Sequence, residues 1–303
     1  MTLSDEIRTA IDGKWAHVRE QARATMPAMG LAFDHSLTIG QARERVLAQM
    51  KGLVESGIPA SGFAKSHGGL GDPGMAVTGI EMLAQYDLTL MAKSGVQWGL
   101  FGGAVENLGT ERHHQAYVPG IINLDIVGCF AMTETGHGSD VQSLETTATF
   151  DPATDEFVVH SPTPSSRKDY IGGAAAHAQY AAVFAQLITG SETPGVHCFL
   201  VPIRDADGND LPGVTTSDCG YKGGLGGVDN GRIMFDQVRI PRENLLDRYG
   251  QVAADGTYTS PIESANARFF TMIGTLIRGR VSVGGSARAA AEVALSIAGR
   301  YAL

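Results

Sequence analysis

Apolar residues between positions 36 and 124 recur at helical spacing, as in Val46, Met50, Leu53 and Val54, and again in Ile80, Leu83 and Ala84. Positions three and four apart share one face of a helix, so this pattern predicts amphipathic helices around a common core. Residues 59–74 (PASGFAKSHGGLGDPG) interrupt it. They hold few strong helix formers, which predicts an ordered loop. From residue 126 to 240 the pattern changes to short stretches rich in β-branched and aromatic residues, at 146–150, 157–160, 181–187, 197–203 and 232–240. These predict strands. Asp151-Pro152-Ala153-Thr154-Asp155, between the first two stretches, has the composition of a hairpin turn, so a largely antiparallel β-domain is expected. After Pro261 the helical period returns, with Ala290, Val293, Ala294, Ile297 and Tyr301 in one stripe.

The pattern therefore predicts an α+β chain with an N-terminal helical domain (1–125), a middle antiparallel β-domain (126–245) and the start of a C-terminal helical bundle (246–303). The last stripe is still in phase at Leu303, with no Gly or Asn cap after it. That leads to the expectation of a fragment, or of one subunit of a split enzyme.

Composition narrows the function. With 303 residues, 43% hydrophobic and 18% charged, the chain can bury a large core. Its 23 basic and 32 acidic residues give a net charge of −9, so nucleic acid is not an expected partner. Cys129, Cys198 and Cys219 lie far apart and match no C-x-x-C spacing, which suits buried thiols in a reducing compartment. The N-terminal stretch MTLSDEIRTAIDGKW lacks the apolar core of a signal peptide, and no apolar run of membrane-spanning length occurs. A soluble intracellular protein without membrane insertion is expected.

The stretch most suggestive of chemistry is 129–147, CFAMTETGHGSDVQSLETT, where an apolar strand runs into a turn rich in Gly, Ser and Thr. Main-chain N–H groups and hydroxyls in such a turn donate to an electron-rich ring edge or a phosphate. On the residues alone, a surface turn and a ligand loop remain equally open.

Thr133-Glu134-Thr135-Gly136-His137-Gly138-Ser139-Asp140 resembles the flavin loop T-E-x-G-x-G-S/T-D of the acyl-CoA dehydrogenase and oxidase superfamily. Residues 161–187 (SPTPSSRKDYIGGAAAHAQYAAVFAQL) resemble the oxidase branch, and 235–246 (FDQVRIPRENLL) resemble the family's exit from its β-domain. The SPT segment, the D-N-G at 229–231 and GQVAADGTY at 250–258 are oxidase-like as well. These matches span nearly the whole chain in the family's order.

The resemblance implies FAD as cofactor and acyl-CoA as substrate. Phe130, Met132, Thr133, Gly138 and Ser139 would line the cofactor, with main-chain and hydroxyl groups near Met132 and Thr133 bonding the flavin's pyrimidine edge. Ser139 would also lie beside the acyl-CoA. Tyr170 stands where many dehydrogenases pack Trp on the flavin, after Asp169 where oxidases often carry a second aromatic. Gly172 matches a residue whose backbone approaches the flavin closely. Arg280, with Arg278 competing for the role, matches an arginine that contacts CoA.

Family chemistry needs a carboxylate to take the α-proton of the thioester while the β-hydrogen leaves as hydride. In most members that glutamate lies beyond the point matched by Leu303, and in a minority at the position of Gly279, so no catalytic residue is assigned. The arginine that usually follows the Tyr-Ala-Leu motif is also missing, which implies weak FAD affinity. His113 and His114 have no third ligand at metal spacing, so no metal is expected; His137 should serve the turn and Glu134 should be structural. GGLGD and KGGLGG lack the Lys-Ser/Thr of a P-loop and read as turns. The implied activity is oxidation of acyl-CoA to trans-2-enoyl-CoA by dioxygen. The alternatives are a dehydrogenase serving an electron-transfer flavoprotein, and a non-catalytic binding fragment or subunit. A homodimer, or a hetero-oligomer with a chain completing the C-terminal domain, is expected, in the cytoplasm or, in a eukaryote, the peroxisome.

Overall fold

Helix caps and the two hydrophobic periods account for most of the architecture in this computed structural model, which describes residues 2–30, 34 and 36–303. The chain divides into two compact units. One comprises Met1–Gly95, Gly224–Gly227 and Arg278–Leu303, the other Val96–Gly223 and Val228–Ile277.

The first unit holds α1 (Leu3–Asp12), α2 (Ala16–Thr25), α3 (Ile39–Glu55), α4 (Pro73–Tyr86), α5 (Leu88–Ser94) and most of α9 (Leu276–Ala302). Reciprocal capping boxes start α1 (Thr2 with Asp5) and α3 (Thr38 with Gln41). Asp87 joins α4 to α5: its carboxylate accepts from the N–H groups of Thr89 and Leu90. Val46, Met50, Leu53, Leu83 and Ala84 are buried, as their spacing requires. The pattern gave no sign of α1, whose apolar Leu3, Ile7 and Ile11 are exposed. The loop at 59–74 is ordered by main-chain bonds, among them Leu70 N–H to Ala60 O at 2.9 Å and Gly71 N–H to Phe63 O at 2.8 Å. Gly69 is obligatory there, because a Cβ would lie 2.1 Å from Phe63 O. Buried Glu81 of α4 accepts both Arg19 guanidinium nitrogens (3.1 and 2.9 Å) and a third bond from Arg288 of α9.

The second unit holds α6 (Gly102–Leu108), α7 (Glu111–Ile122), α8 (Ala265–Ile273) and the strands. These are β1 (Gly128–Ala131), β2 (Thr147–Asp151), β3 (Glu156–His160), β4 (Lys168–Gly172), β5 (Tyr180–Thr189), β6 (Glu192–Pro202), β7 (Val214–Asp218), β8 (Asn230–Phe235), β9 (Val238–Pro241), β10 (Gln251–Val252) and β11 (Tyr258–Thr259). The larger sheet is built on β5, with β6 antiparallel along one edge. The other edge is shared by β1 and β2, end to end and both parallel to β5. Strands β3 and β9 continue the sheet antiparallel, and a second sheet runs β4-β8-β7. The expected hairpin at 151–155 is present.

The β-region is largely antiparallel, as expected, with β1 and β2 pairing parallel to β5. One expectation needs correction. The stretch 232–240 is two strands in different sheets: Gln237 adopts φ 55° and turns the chain out of β8 into β9. The core lies where the sheets face each other, with Phe157 packed between Phe150 (tilted) and Phe199 (edge-on) at centroid distances of 5.2 and 5.0 Å.

Because β1 and β2 share one edge of β5, the chain leaves that edge after Ala131 and returns at Thr147. The gap is filled by Lys168, which is fully buried. Its ammonium donates to Phe184 O of β5 (2.7 Å), Met132 O (3.1 Å) and the Glu134 carboxylate (2.9 Å), so all three donors are used. Glu134, also buried, accepts further from the N–H groups of Glu145 (2.8 Å) and Thr146 (3.0 Å) and from the Thr146 hydroxyl (2.6 Å). One ion pair thus closes the base of the loop at 132–146. Burial pulls the pKa of Lys168 down, and Glu134 opposes it.

A second buried group fixes the β10–β11 hairpin. His197 Nδ1–H donates to Gly195 O (3.0 Å), leaving Nε2 to accept from the Tyr258 hydroxyl (2.9 Å). Gly250 allows the approach, since a Cβ would sit 2.4 Å from that Nε2. Burial pushes the His197 pKa down to about 4.

Two predictions follow from these buried groups. Lys168→Met strands the Glu134 charge and should cost roughly 3–5 kcal/mol in urea unfolding, while adding Glu134→Gln should recover part of the loss. Between pH 6.5 and about 4 the unfolded chain binds a proton at residue 197 that the folded chain does not. Stability should therefore fall by about 3 kcal/mol as pH drops through that window, and His197→Gln should flatten the dependence by that amount.

Candidate functional site

The site is assembled where the larger sheet is interrupted. Gln97, in the π-helical turn Gly95–Phe101, sets the start of β1: its carboxamide accepts from Gly128 N–H (2.8 Å) and donates to Ile126 O (2.7 Å). Alternation along β1 sends Cys129 and Ala131 into the core and Phe130 to the opposite face, where its ring lies 4.9 Å from that of Phe184. Met132 is buried, with its carbonyl on Lys168. Thr133 is half-buried, and its carbonyl accepts from Asp169 N–H (3.1 Å). Among the described residues, no protein group pairs with its hydroxyl or its N–H. Thr133 thus offers two donors from a fixed backbone.

The turn beyond it is braced from the side. Thr135 N–H donates to Arg167 O and Gly136 N–H to Ser165 O, both at 2.9 Å. A Cβ on Gly136 would meet Ser165 Cβ at 2.9 Å, so the close approach requires glycine. A Cβ on Gly138 meets nothing within 4 Å, and Ser139 is exposed. That leaves open space beside a row of small polar residues. His137 serves the turn as expected: its N–H bonds Glu134 O (3.1 Å) and its ring faces Glu145 at 3.3 Å. Hydrogen bonds from Ser165 and Thr163 hold Glu145 below the usual carboxylate range. Ligand atoms of Glu134, His137 and Glu145 lie within 4.8 Å of one another, but Glu134 is saturated by Lys168, two amides and a hydroxyl. Its role is structural.

Tyr170 approaches from β4. The β4–β8 register shifts between Lys168 and Ile171, which makes Asp169-Tyr170 a bulge. Tyr170 has φ 58° and is 69% exposed, a left-handed aromatic costing roughly 1–2 kcal/mol. Its neighbour Asp169 is a buried hub. The carboxylate accepts from the Thr135 hydroxyl (2.9 Å), Arg167 (3.0 Å), Arg232 Nε (3.1 Å) and Tyr170 N–H (3.0 Å). At Gly172 a Cβ would lie 3.0 Å from Val96 Cγ2, a tight contact that the valine side chain would have to relieve. Thr133, Gly138, Ser139 and Tyr170 belong to one unit and Arg280 to the other. Arg280 is exposed and carries no ion pair or hydrogen bond among the described residues, whereas the competing Arg278 donates to Gly62 O (2.7 Å).

His113 and His114 use their rings on the backbone. His113 Nδ1 accepts from Thr110 N–H (3.0 Å), so Nε2–H donates to Glu243 O (2.8 Å), and burial lowers its pKa. His114 Nε2 lies 3.1 Å from Glu106 O. The sequence reading missed what Gln97 and Asp169 hold. A lone amide or carboxylate carries no spacing signal, and only the start of β1 and the bulge in β4 reveal their roles.

Comparison with known proteins agrees with this geometry. The family model for the acyl-CoA dehydrogenase middle domain matches residues 129–238. Acyl-coenzyme A oxidase 2, peroxisomal, of Arabidopsis thaliana is 46% identical over 269 residues, covering 86% of this chain and 38% of the relative. Peroxisomal acyl-coenzyme A oxidase 3 of Homo sapiens is 42% identical, covering 73% of this chain and 32% of the relative. The crystal structure of acyl-CoA oxidase 1 from Yarrowia lipolytica superposes with a TM-score of 0.81 at 30% identity, covering 92% of this chain and 39% of that one. Acyl-CoA oxidase-2 of Caenorhabditis elegans, solved with FAD, ascaroside-CoA and ATP, gives 0.72 at 27% identity, covering 89% and 40%. The chain spans about two-fifths of the length of the curated relative it matches at 46% identity. With these matches running in order through the loop, the bulge and the strands around them, the chain belongs to the acyl-CoA dehydrogenase and oxidase superfamily, on its acyl-CoA oxidase branch.

Proposed function

We propose that this chain carries the flavin site of an FAD-dependent acyl-CoA oxidase, which converts acyl-CoA and dioxygen to trans-2-enoyl-CoA and hydrogen peroxide. The observation that carries the reading is Thr133: two unpaired donors on a clamped backbone, beside open space at Gly138 and Ser139. These residues fit an electron-rich ring edge and a phosphate-bearing tail. Bound FAD supplies the hydride acceptor and the route for electrons to dioxygen. The chain's own residues have simpler tasks. Met132 and Thr133 hold the pyrimidine edge, Phe130, Gly138, Ser139, Tyr170 and Gly172 line the cofactor, and Ser139 also meets the acyl-CoA. Residues 126–245 form the part that binds the cofactor. The relatives' peroxisomal names support that compartment in a eukaryotic source. No helix among the described residues is long and apolar enough to cross a membrane.

A binding-only reading is favoured by one residue: Gly279 has no carboxylate to take the α-proton. Assembly bears on both readings. Ala290 and Val293 of α9 are half-buried, whereas Ala294, Leu295, Ile297 and Tyr301 are exposed, the last at 93%. Such a stripe supports association with a second copy or with a chain supplying further helices.

FAD titrated into the purified chain should bind, seen as a shift of the flavin absorption and quenching of its fluorescence, and Thr133→Val should weaken that binding about tenfold, the loss of one hydrogen bond. Anaerobic addition of a long-chain acyl-CoA separates the readings. Bleaching followed by recolouring and peroxide in air supports the oxidase, and persistent yellow supports binding alone. Sedimentation velocity should show oligomers, and a clean monomer would remove the association reading.

A further inference from the structure

Tyr170 is held from two sides in a conformation that an aromatic residue does not choose. Its N–H is fixed by Asp169, whose carboxylate is already tied to Thr135, Arg167 and Arg232. Its carbonyl accepts from the Asn230 carboxamide at 2.9 Å. The other end of that carboxamide, Oδ1, accepts from Lys222 Nζ at 2.5 Å, and the same ammonium donates to Val228 O at 2.8 Å. Lys222 therefore fixes both the position of Asn230 and which end of it faces Tyr170. The flanking residues complete the frame. Asp229, fully buried, accepts from the N–H groups of Ala176 (3.2 Å) and His177 (3.0 Å). A Cβ on Gly231 would meet Ala175 N at 2.4 Å, so only glycine lets β8 lie against the turn that follows β4. Three consecutive residues thus hold three points of the segment that carries Tyr170.

A bulged, left-handed, exposed aromatic has no packing reason of its own, and the bonds around it serve to aim its ring. We propose that Asn230, braced by Lys222, is a positioning residue that sets the contact between Tyr170 and the flavin ring; the inference rests on the flavin reading above.

The test uses the whole chain loaded with FAD and reads flavin fluorescence, which an aromatic ring in contact quenches, together with FAD affinity. Asn230→Asp keeps an oxygen for Lys222 but sets an acceptor against the Tyr170 carbonyl. It should raise the emission of bound flavin to the level given by Tyr170→Leu and weaken FAD about tenfold. It should change nothing further in a Tyr170→Leu background. Unchanged emission in Asn230→Asp, or effects of the two substitutions that simply add, would overturn the inference while leaving the flavin reading intact. Failure of the unsubstituted chain to take up FAD would overturn both. If Asn230→Asp does not fold by circular dichroism, Lys222→Met, which frees the carboxamide to rotate, decides instead: raised emission supports the inference and unchanged emission overturns it.

Discussion

A gap in a sheet edge is an energetic problem, and the Lys168 ammonium is the answer on which the site depends. A strand that loses its neighbour midway exposes carbonyls to a dry interior, where each unpaired polar group costs free energy comparable to a lost hydrogen bond. Here the β1 and β2 partners of β5 are separated by fifteen intervening positions, 132–146, and Lys168 takes up Phe184 O between them. Burying a lysine is itself costly, which is why Glu134 accompanies it and why the pair uses every donor and nearly every lone pair it has. The geometry of Met132 and Thr133 is a by-product of solving that problem.

The fold was legible where one period ran long enough to be counted. Val46, Met50 and Leu53 mark their helix by spacing, and the strands at 147–151, 156–160, 180–189 and 192–202 announce themselves by composition. Strands β4 and β7 do not: β4 (KDYIG) buries Lys168 and Asp169 side by side and exposes Tyr170, which breaks the alternation of apolar and polar residues, and β7 (VTTSD) has one apolar residue. The turn at Gln237 was missed for a different reason. Left-handed backbone at a residue other than Gly or Asn leaves no mark in the sequence.

The site was legible only through the loop 133–140 and the segment 168–172, whose residues are recognisable as a set. Physical reading of that set alone stopped at a polar turn. What it lacked was the third dimension: that Thr135 reaches Asp169 across 34 positions, and that Asn230 reaches Tyr170 across 60. Pairs so far apart in sequence are set by sheet register, which no local pattern encodes.

The way the loop is closed has a consequence for how such proteins diversify. Glu134 grips the amides of 145 and 146, so the two ends of the loop are joined at its neck before the tip is considered. Residues 138–141, short of the bond that Gln142 O accepts from the Gln186 carboxamide of β5 (2.9 Å), then form a cassette carried above the strands. Exchanging that cassette between related chains transfers the chemistry of the tip without renegotiating the core.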